Sequence, residues 1–255
     1  MEEQRDYSKY KTIGFNEMKQ LAADDNISMY EKIGFPDSYR MGKEAGIFRD
    51  IIQKLGINES DQGKRWLDIG PGCTELPLMV LDLCKRQNFE LTWADSKEML
   101  ALLPEDKIVK RFSGYFPDDM AELVDANQNN LDYIVCYSIL HCGPFYNTCI
   151  HKFIDTAVSL LKLGGRLLIG DIPNISKRKR FFSSETGIAF HKDFMKTDQP
   201  PVVEHLKLEQ GELDDGIIMG ILQRYRGFGF ETYLLPQGAG LPMANRREDI
   251  LICKT

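Results

Sequence analysis

The chain has 255 residues and a formal net charge of −6 at pH 7, with an isoelectric point near 5.4. This acidic balance excludes a general basic field that would recruit nucleic acid. The N-terminus lacks the apolar core of a signal peptide, and no apolar run reaches the roughly 18 residues of a membrane span. Six scattered cysteines without a Cys-x-x-Cys pair are typical of reduced packing thiols. We therefore expect a cytoplasmic protein that binds neither nucleic acid nor a membrane.

The residues before the first predicted strand are expected to be largely helical. Apolar residues at helical spacing predict helices over residues 16–23 and 43–55, the second ending at Gly56. Between these helices, the turn-forming residues at 33–42 favour a loop over a core element.

The most informative stretch is a predicted strand, a glycine turn and a helix. The apolar strand closes on Asp68 and is followed by Gly70-Pro71-Gly72, whose glycines allow a sharp turn and close approach of a ligand. Glu75 stands where a dinucleotide-binding fingerprint has its third glycine, and a carboxylate at a helix N-terminus repels a pyrophosphate. The two acids suit a ligand with a cationic amino-acid end and an adenosine end.

The pentapeptide Asp68-Ile69-Gly70-Pro71-Gly72 resembles the first motif of the class I S-adenosylmethionine-dependent methyltransferases. Residues 131–141 are similar to the fourth motif of that family, and residues 161–166 to the turn before its fifth strand. The resemblance covers residues 66–255 and implies an enzyme with S-adenosylmethionine as its cofactor. The fold class it implies is α/β, with a seven-stranded, mostly parallel, doubly wound sheet (the Rossmann-like methyltransferase fold) whose seventh strand is antiparallel.

The end of the chain agrees with that expectation. No helix fits between the last two predicted strands, at 230–235 and 249–254, so they are expected to pair antiparallel. We predict a single methyltransferase domain over residues 1–255. Its parts are a helical N-terminal cap, a cofactor-binding half, an inserted lid that covers the acceptor, and the last helix with strands six and seven: 1–60, 61–171, 172–210 and 211–255.

Several further residues are expected to contact the cofactor. Asp95 ends the second predicted strand about 20 residues past the glycine turn, where adenosine-binding folds use an acid for the ribose hydroxyls; a turn or capping aspartate is the alternative. Ser96 follows as a helix N-cap. The third strand is not followed by the adenine-binding acid of many methyltransferases, so Tyr115 or Phe116 is expected to stack on adenine or to fill the core. Tyr137, at the end of the fourth strand, completes a set that includes Asp68, Gly70 and Gly72.

By resemblance, the N-terminal cap also supplies contacts. Such an extension commonly lies over the cofactor pocket, which places Arg40 near the cofactor carboxylate and Tyr39 near the acceptor. An ordinary surface loop with an extended arginine is the alternative reading of these two residues.

Methyl transfer from a sulfonium requires alignment of the acceptor and, for a hydroxyl, removal of its proton. His141 follows the fourth strand and has a pKa range that suits a base. His191, in the insertion, and Asp171, at the end of the fifth strand, are the other catalytic candidates. The alternatives are a packing histidine, a helix-face histidine and a turn aspartate, respectively.

The insertion carries the only dense basic run, Lys177-Arg178-Lys179-Arg180, in an otherwise acidic chain. Lys177, Arg178 and Arg180 are expected to hold a phosphate or carboxylate of the acceptor, unless the run is simply solvated. No metal is expected, because the fourth strand does not exit into carboxylates.

These features predict O-methylation of a small polar metabolite, with a phosphorylated or nucleotide-linked acceptor of surface-glycan type favoured by the basic run. A nucleic-acid substrate is not expected, because the Asn-Pro-Pro-Tyr type motif of base-amine methyltransferases is absent after the fourth strand. The rival hypotheses are an NAD-dependent oxidoreductase and a protein that binds S-adenosylmethionine without turnover. The oligomeric state is left open.

Overall fold

The computed structural model describes residues 13–140, 149–207, 209 and 211–255. One sheet contains seven strands in the order β3-β2-β1-β4-β5-β7-β6. The strands are β1 (Arg65–Ile69), β2 (Glu90–Asp95), β3 (Val109–Ser113), β4 (Leu131–Tyr137), β5 (Leu161–Pro173), β6 (Phe230–Pro236) and β7 (Arg247–Lys254).

Helices in the described part of the chain precede the sheet, connect its strands and form the insertion. They are α1 (Phe15–Ala23), α2 (Met29–Lys32), α3 (Asp37–Arg40), α4 (Glu44–Leu55), α5 (Glu75–Arg86), α6 (Lys97–Leu100), α7 (Ala121–Ala126), α8 (Ile150–Leu160), α9 (Ile175–Phe182), α10 (Glu185–Met195) and α11 (Asp215–Gly227). No described helix is both long enough and apolar enough to cross a membrane.

The strand directions confirm the predicted fold class. The neighbours from β3 through β5 pair in parallel, whereas β7 pairs antiparallel with both β5 and β6. The fifth strand begins at Leu161, inside the segment 161–166 that was expected to be the turn before it, because the pairing of β4 with β5 begins at Leu131 opposite Leu161 and continues past a bulge. The glycine turn at 164–165 therefore lies inside this irregular strand.

Alternating side chains divide the core between the two faces of the sheet. On β4, Ile134 and Cys136 point to the face covered by α7, α8 and α11. Tyr133 and Val135 point to the opposite face, which α4 and α5 cover. This period of two in a strand buried on both sides produces the doubly wound arrangement, with helices on each face.

The prediction that residues 33–42 form a loop outside the core was wrong. Residues 37–40 form α3, and Ile33, Phe35 and Arg40 are all buried. Arg40 can be buried because its guanidinium Nε lies 3.2 Å from the Glu44 carboxylate and its charge lies over the Phe35 ring. The segment is therefore part of the interior.

A buried charge pair ties α4 to the sheet. Asp249 on β7 is fully buried and accepts hydrogen bonds from the Asp171 amide at 2.8 Å and from Gln237 Nε2 at 3.1 Å. Lys54 Nζ, on α4, lies 2.6 Å from Asp249 Oδ2. Burial raises the pKa of Asp249, and Lys54 opposes that rise. Lys54 is thus the largest of the contacts that favour the charged form of Asp249, and the hydrogen bonds from Asp171 and Gln237 add to it.

We expect Lys54→Met to lower the free energy of unfolding by about 3–5 kcal/mol near pH 8, because Asp249 is left buried without a cation. The loss should shrink as the pH is lowered, because Asp249, whose pKa is raised by burial, then takes up a proton. Urea unfolding near pH 8 and at a lower pH measures both effects.

Lys85→Met is the matched control, because Lys85 is half-exposed and pairs with Asp106 at the surface. Its cost should stay below about 1 kcal/mol. Equal losses in the two variants would contradict a special dependence of Asp249 on Lys54.

Candidate functional site

A cavity lies where β1, β2 and β4 end, beneath the N-terminal helices. Its volume is about 1040 Å³ including the open mouth. The walls come from the glycine turn after β1, the ends of β2 and β4, and the segment after β3, while α1 and the segment at 33–40 form the roof. In open α/β sheets, ligands bind at this carboxyl edge, where the strand order reverses between β1 and β4.

The glycine turn is tightly covered. Gly70 and Gly72 have φ values of +71° and +70°, which other residues adopt only with strain. A Cβ on Gly72 would come within 2.9 Å of Ile33 Cγ2, and one on Gly70 would overlap Ile139. The absence of side chains at both glycines therefore lets Ile33 and Ile139 close over the turn.

Asp68 brings a buried carboxyl group into the cavity. Its carboxylate lines the cavity and accepts no hydrogen bond from any described residue. Burial, together with the neighbouring Asp95 carboxylate, raises the pKa of Asp68 to about 8. A cationic group bound in the cavity would reverse this effect by stabilising the ionised form.

Asp95 joins the end of β2 to the glycine turn. One oxygen accepts from the Ser96 amide at 2.6 Å and the other from the Gly72 amide at 3.4 Å. Burial raises the pKa of Asp95 to about 6 despite these bonds. Ser96 itself caps α6 by accepting from the Met99 amide at 3.1 Å, and it is not among the residues that line the cavity.

An apolar slot extends from Asp95 along the segment after β3. Gly114, Tyr115 and Phe116 form one wall, and Tyr115 contacts the Phe15 ring edge-to-face at 5.1 Å. Tyr115 and Phe116 were predicted from the sequence, whereas other lining residues were not: Phe15, Met18, Met99 and Phe153. The i, i+3 spacing of the two α1 residues was the available signal for the roof.

Arg40 contributes a positive charge from the N-terminal cap. Its Nη1 donates to Ser138 Oγ at 3.2 Å, and its guanidinium lies over the Tyr137 ring at 5.7 Å. Both Arg40 and Tyr137 line the cavity. Burial raises the pKa of the Glu44 carboxyl, and the positive charge of Arg40 opposes that rise. This places Arg40, Tyr137 and Ser138 together at the end of β4.

Asp171 lies behind this group and not among the cavity-lining residues. Ser138 Oγ donates to Asp171 Oδ2 at 2.6 Å, and Gln237 Nε2 donates to the other oxygen at 3.3 Å. Arg247 Nη1 donates to the Asp171 carbonyl at 3.0 Å. The side chain of Asp171 is therefore linked to the cavity by a direct hydrogen bond from Ser138, which lines it.

The other residues that were predicted to act on the acceptor are not described at this cavity. His141 lies outside the described residues. His191 contacts Phe182 edge-to-face and lines a second pocket of the insertion together with Arg178. Lys177 forms an ion pair with Glu248 at 3.6 Å, and Arg180 forms one with Asp215. The charges of both side chains are therefore compensated within the protein.

Tyr39 is near Arg246, whose positive charge interacts with it. It packs beside the buried cluster of Ile33, Phe35 and Met99 and does not line the cavity. Within the described residues, no group of three or more metal-ligating side chains is assembled.

We expect Asp68→Asn to stabilise the unliganded protein, because the ionised carboxyl is costly where it is buried. In the wild type, stability due to Asp68 is present below the unfolded pKa of 3.8 and is lost as the pH rises toward the folded value of about 8. The loss amounts to about 1.4 kcal/mol for each pH unit in that window. Urea unfolding of both proteins from about pH 5 to pH 8 measures the difference, and parallel pH profiles would contradict it.

No protein-family model matches the chain, and no curated protein matches its sequence at a significant level. Solved structures do match. One is the plantazolicin methyltransferase BpumL in complex with a desmethyl analogue and S-adenosylhomocysteine, at a TM-score of 0.56 and 12% identity, covering 94% of this chain and 97% of that one.

Two other matches are a protein assigned as a methyltransferase, in complex with the Haloferax volcanii Trm112 activator, and one assigned as an S-adenosyl-L-methionine-dependent methyltransferase from Methanococcus maripaludis. Their TM-scores are 0.55 and 0.50, with 11% and 17% identity. They cover 94% and 100% of this chain, and 98% and 97% of their own chains. The chain therefore has the fold of the class I S-adenosylmethionine-dependent methyltransferases, as its first motif predicts.

Proposed function

We propose that the protein is an S-adenosylmethionine-dependent methyltransferase whose cofactor binds in the cavity at the glycine turn. The observation that carries this proposal is the pair of buried acids, Asp68 and Asp95, in one cavity. A ligand with an ammonium group and a ribose compensates both carboxylates, whereas a pyrophosphate would add to their repulsion.

In the proposed complex, each part of the cofactor has a partner. The ammonium lies near Asp68, and the ribose hydroxyls donate to Asp95. Adenine occupies the apolar slot beside Tyr115 and Phe116, and Arg40 faces the carboxylate. The residues that line the cavity thus supply anionic, apolar and cationic groups for the corresponding parts of the cofactor.

Methyl transfer is an in-line displacement in which the acceptor atom bonds to the methyl carbon as the carbon–sulfur bond breaks. The neutral thioether leaves without needing an acid, so the protein has to align the acceptor and remove its proton. We place the acceptor beyond the end of β4, next to Tyr137 and Ser138. His141 is the proposed base because it follows this strand, Asp171 is proposed to act through Ser138, and His191 is assigned to the acceptor side.

The acceptor is proposed to be a small polar metabolite that is methylated on oxygen. The basic insertion supports a phosphorylated or nucleotide-linked acceptor, as in surface-glycan pathways. The oxidoreductase alternative is less well supported, because Glu75 lies at the start of α5 and is fixed there by the Tyr30 hydroxyl at 2.9 Å. A protein that binds the cofactor without turnover would share the binding properties and differ in transferring no methyl group.

Calorimetric titration with S-adenosylhomocysteine tests the proposed site. We expect Asp95→Ala to weaken binding by about 1–3 kcal/mol, because hydrogen bonds from the ribose to a buried carboxylate are lost. Asp82→Ala is the control, since Asp82 is an exposed acid on α5 that pairs with Arg86. NADH should not compete; tight binding of NADH without binding of S-adenosylhomocysteine would overturn the proposal.

Proton release provides a second, independent test. At pH ~7 the free protein holds a proton on Asp68, and the ligand ammonium stabilises the ionised carboxylate, so binding should release about one proton. Titrations in two buffers of different ionisation enthalpy measure this number. Asp68→Asn should release less; identical proton release in the variant and the wild type would show that Asp68 does not face the ammonium.

A further inference from the structure

Three distant parts of the chain meet at one face of the insertion. Helices α9 and α10 contribute Phe182 and Phe190, and the β6–β7 connection contributes Arg246. Tyr39, from the N-terminal cap, lies close enough to interact electrostatically with Arg246. Tyr39 directly precedes Arg40, which lines the cofactor cavity. This face is therefore next to the roof of the proposed active site.

The aromatic rings orient two guanidinium groups. Arg246 lies over the Phe182 ring at 5.7 Å and over the Phe190 ring at 5.8 Å, and Arg178 lies over the Phe182 ring at 5.8 Å. Stacking on a ring fixes the plane of a guanidinium while leaving its N–H groups free to donate. Phe190 is itself 39% exposed, so a small molecule can reach this face.

The charges on these two arginines are not compensated. Neither Arg178 nor Arg246 forms an ion pair with a described residue, whereas Lys177 and Arg180 of the same basic run do. Burial lowers the pKa of Arg246, the nearby Tyr39 opposes this effect, and the positive charges of Arg247 and Arg178 lower the pKa further. In a protein with a net charge of −6, two adjacent cations that form no ion pair with a described carboxylate favour an external anion.

We propose that Arg178 and Arg246 together bind an oxyanion of the acceptor, a phosphate or a carboxylate, at the face formed by Phe182 and Phe190. The inference rests on the proposed function for its assignment to the acceptor. It assigns anion binding to Arg246, which the sequence analysis did not identify. It also gives Lys177 and Arg180 a different role, which is to hold α9 to Glu248 and Asp215.

Thermal unfolding in sodium phosphate, compared with sodium chloride at equal ionic strength, tests the anion site directly. The wild type should show a saturable rise in Tm that is specific to phosphate. Arg178→Gln and Arg246→Gln should each raise the half-saturating phosphate concentration about 10-fold or more, because each removes charge-assisted hydrogen bonds. Arg180→Gln, which removes an equal charge already paired with Asp215, should leave that concentration unchanged.

An equal effect of Arg180→Gln, or a wild-type Tm that does not distinguish phosphate from chloride, would overturn the inference. Titration with S-adenosylhomocysteine on the same variants separates this result from the proposed function, because that affinity should not change. If the wild type fails to bind S-adenosylhomocysteine, the proposed function fails while the phosphate titration still decides the anion site.

An acceptor screen with matched compounds extends the test to catalysis. Each set contains a neutral compound, its phosphate and its carboxylate. Preferential methylation of a charged member, with a higher KM for that member in Arg246→Gln, supports the inference and identifies which oxyanion is bound. Equal use of the charged and neutral members by the wild type, or a KM for the charged member that Arg246→Gln leaves unchanged, would overturn it.

Discussion

Burial of two carboxyl groups beside a glycine turn is the constraint on which the site depends. Asp68 is the next-to-last residue of β1 and Asp95 is the last residue of β2, so the parallel register brings both to one edge of the sheet. Neither is paired with a described cation, and burial raises the pKa of both. The unliganded fold is therefore less stable at neutral pH than it would be with amides at these positions. Such a cost is typical of a binding site, because a ligand of the complementary charge recovers it.

The N-terminal cap is held over this edge by a connected set of buried polar groups. Arg40 bridges Glu44 and Ser138, and Ser138 donates to Asp171. The Asp171 amide in turn donates to Asp249, whose charge is balanced by Lys54. These contacts join α3 and α4 to β4, β5 and β7, with buried cations and carboxylates paired along the way. The roof of the cavity is thus anchored to the same strand ends that form its floor.

The sequence predicts the parts of the site that are local in the chain and misses those that depend on distant contacts. Asp68, the glycine turn and Asp95 can be predicted from their neighbours in the sequence and from the apolar pattern of the strands. The structure places all of them at the cavity. Arg40 could not be recognised as buried, because its partners Glu44 and Phe35 become neighbours only when the segment folds into α3. Arg246 has no motif of its own, and its surroundings come from α9 and α10. Likewise, Lys177 and Arg178 are adjacent and chemically similar, and only the folded chain shows that Glu248 compensates the first of them.

In the proposed enzyme, the acids of the cavity and the arginines of the insertion would affect the reaction in different ways. Asp68 and Asp95 are proposed to contact the ammonium and ribose, which do not change during methyl transfer. Interactions of that kind stabilise the bound substrate and the transition state equally, so they contribute to affinity and not to the chemical step. Acceleration then has to come from the alignment of the acceptor against the methyl group. Arg178 and Arg246 are proposed to act on that alignment, because an oxyanion held at the insertion fixes the acceptor at a point remote from its reacting atom. Binding energy from such a remote group can be used to orient the reacting atoms, which makes the insertion the part of the fold where specificity and rate are connected.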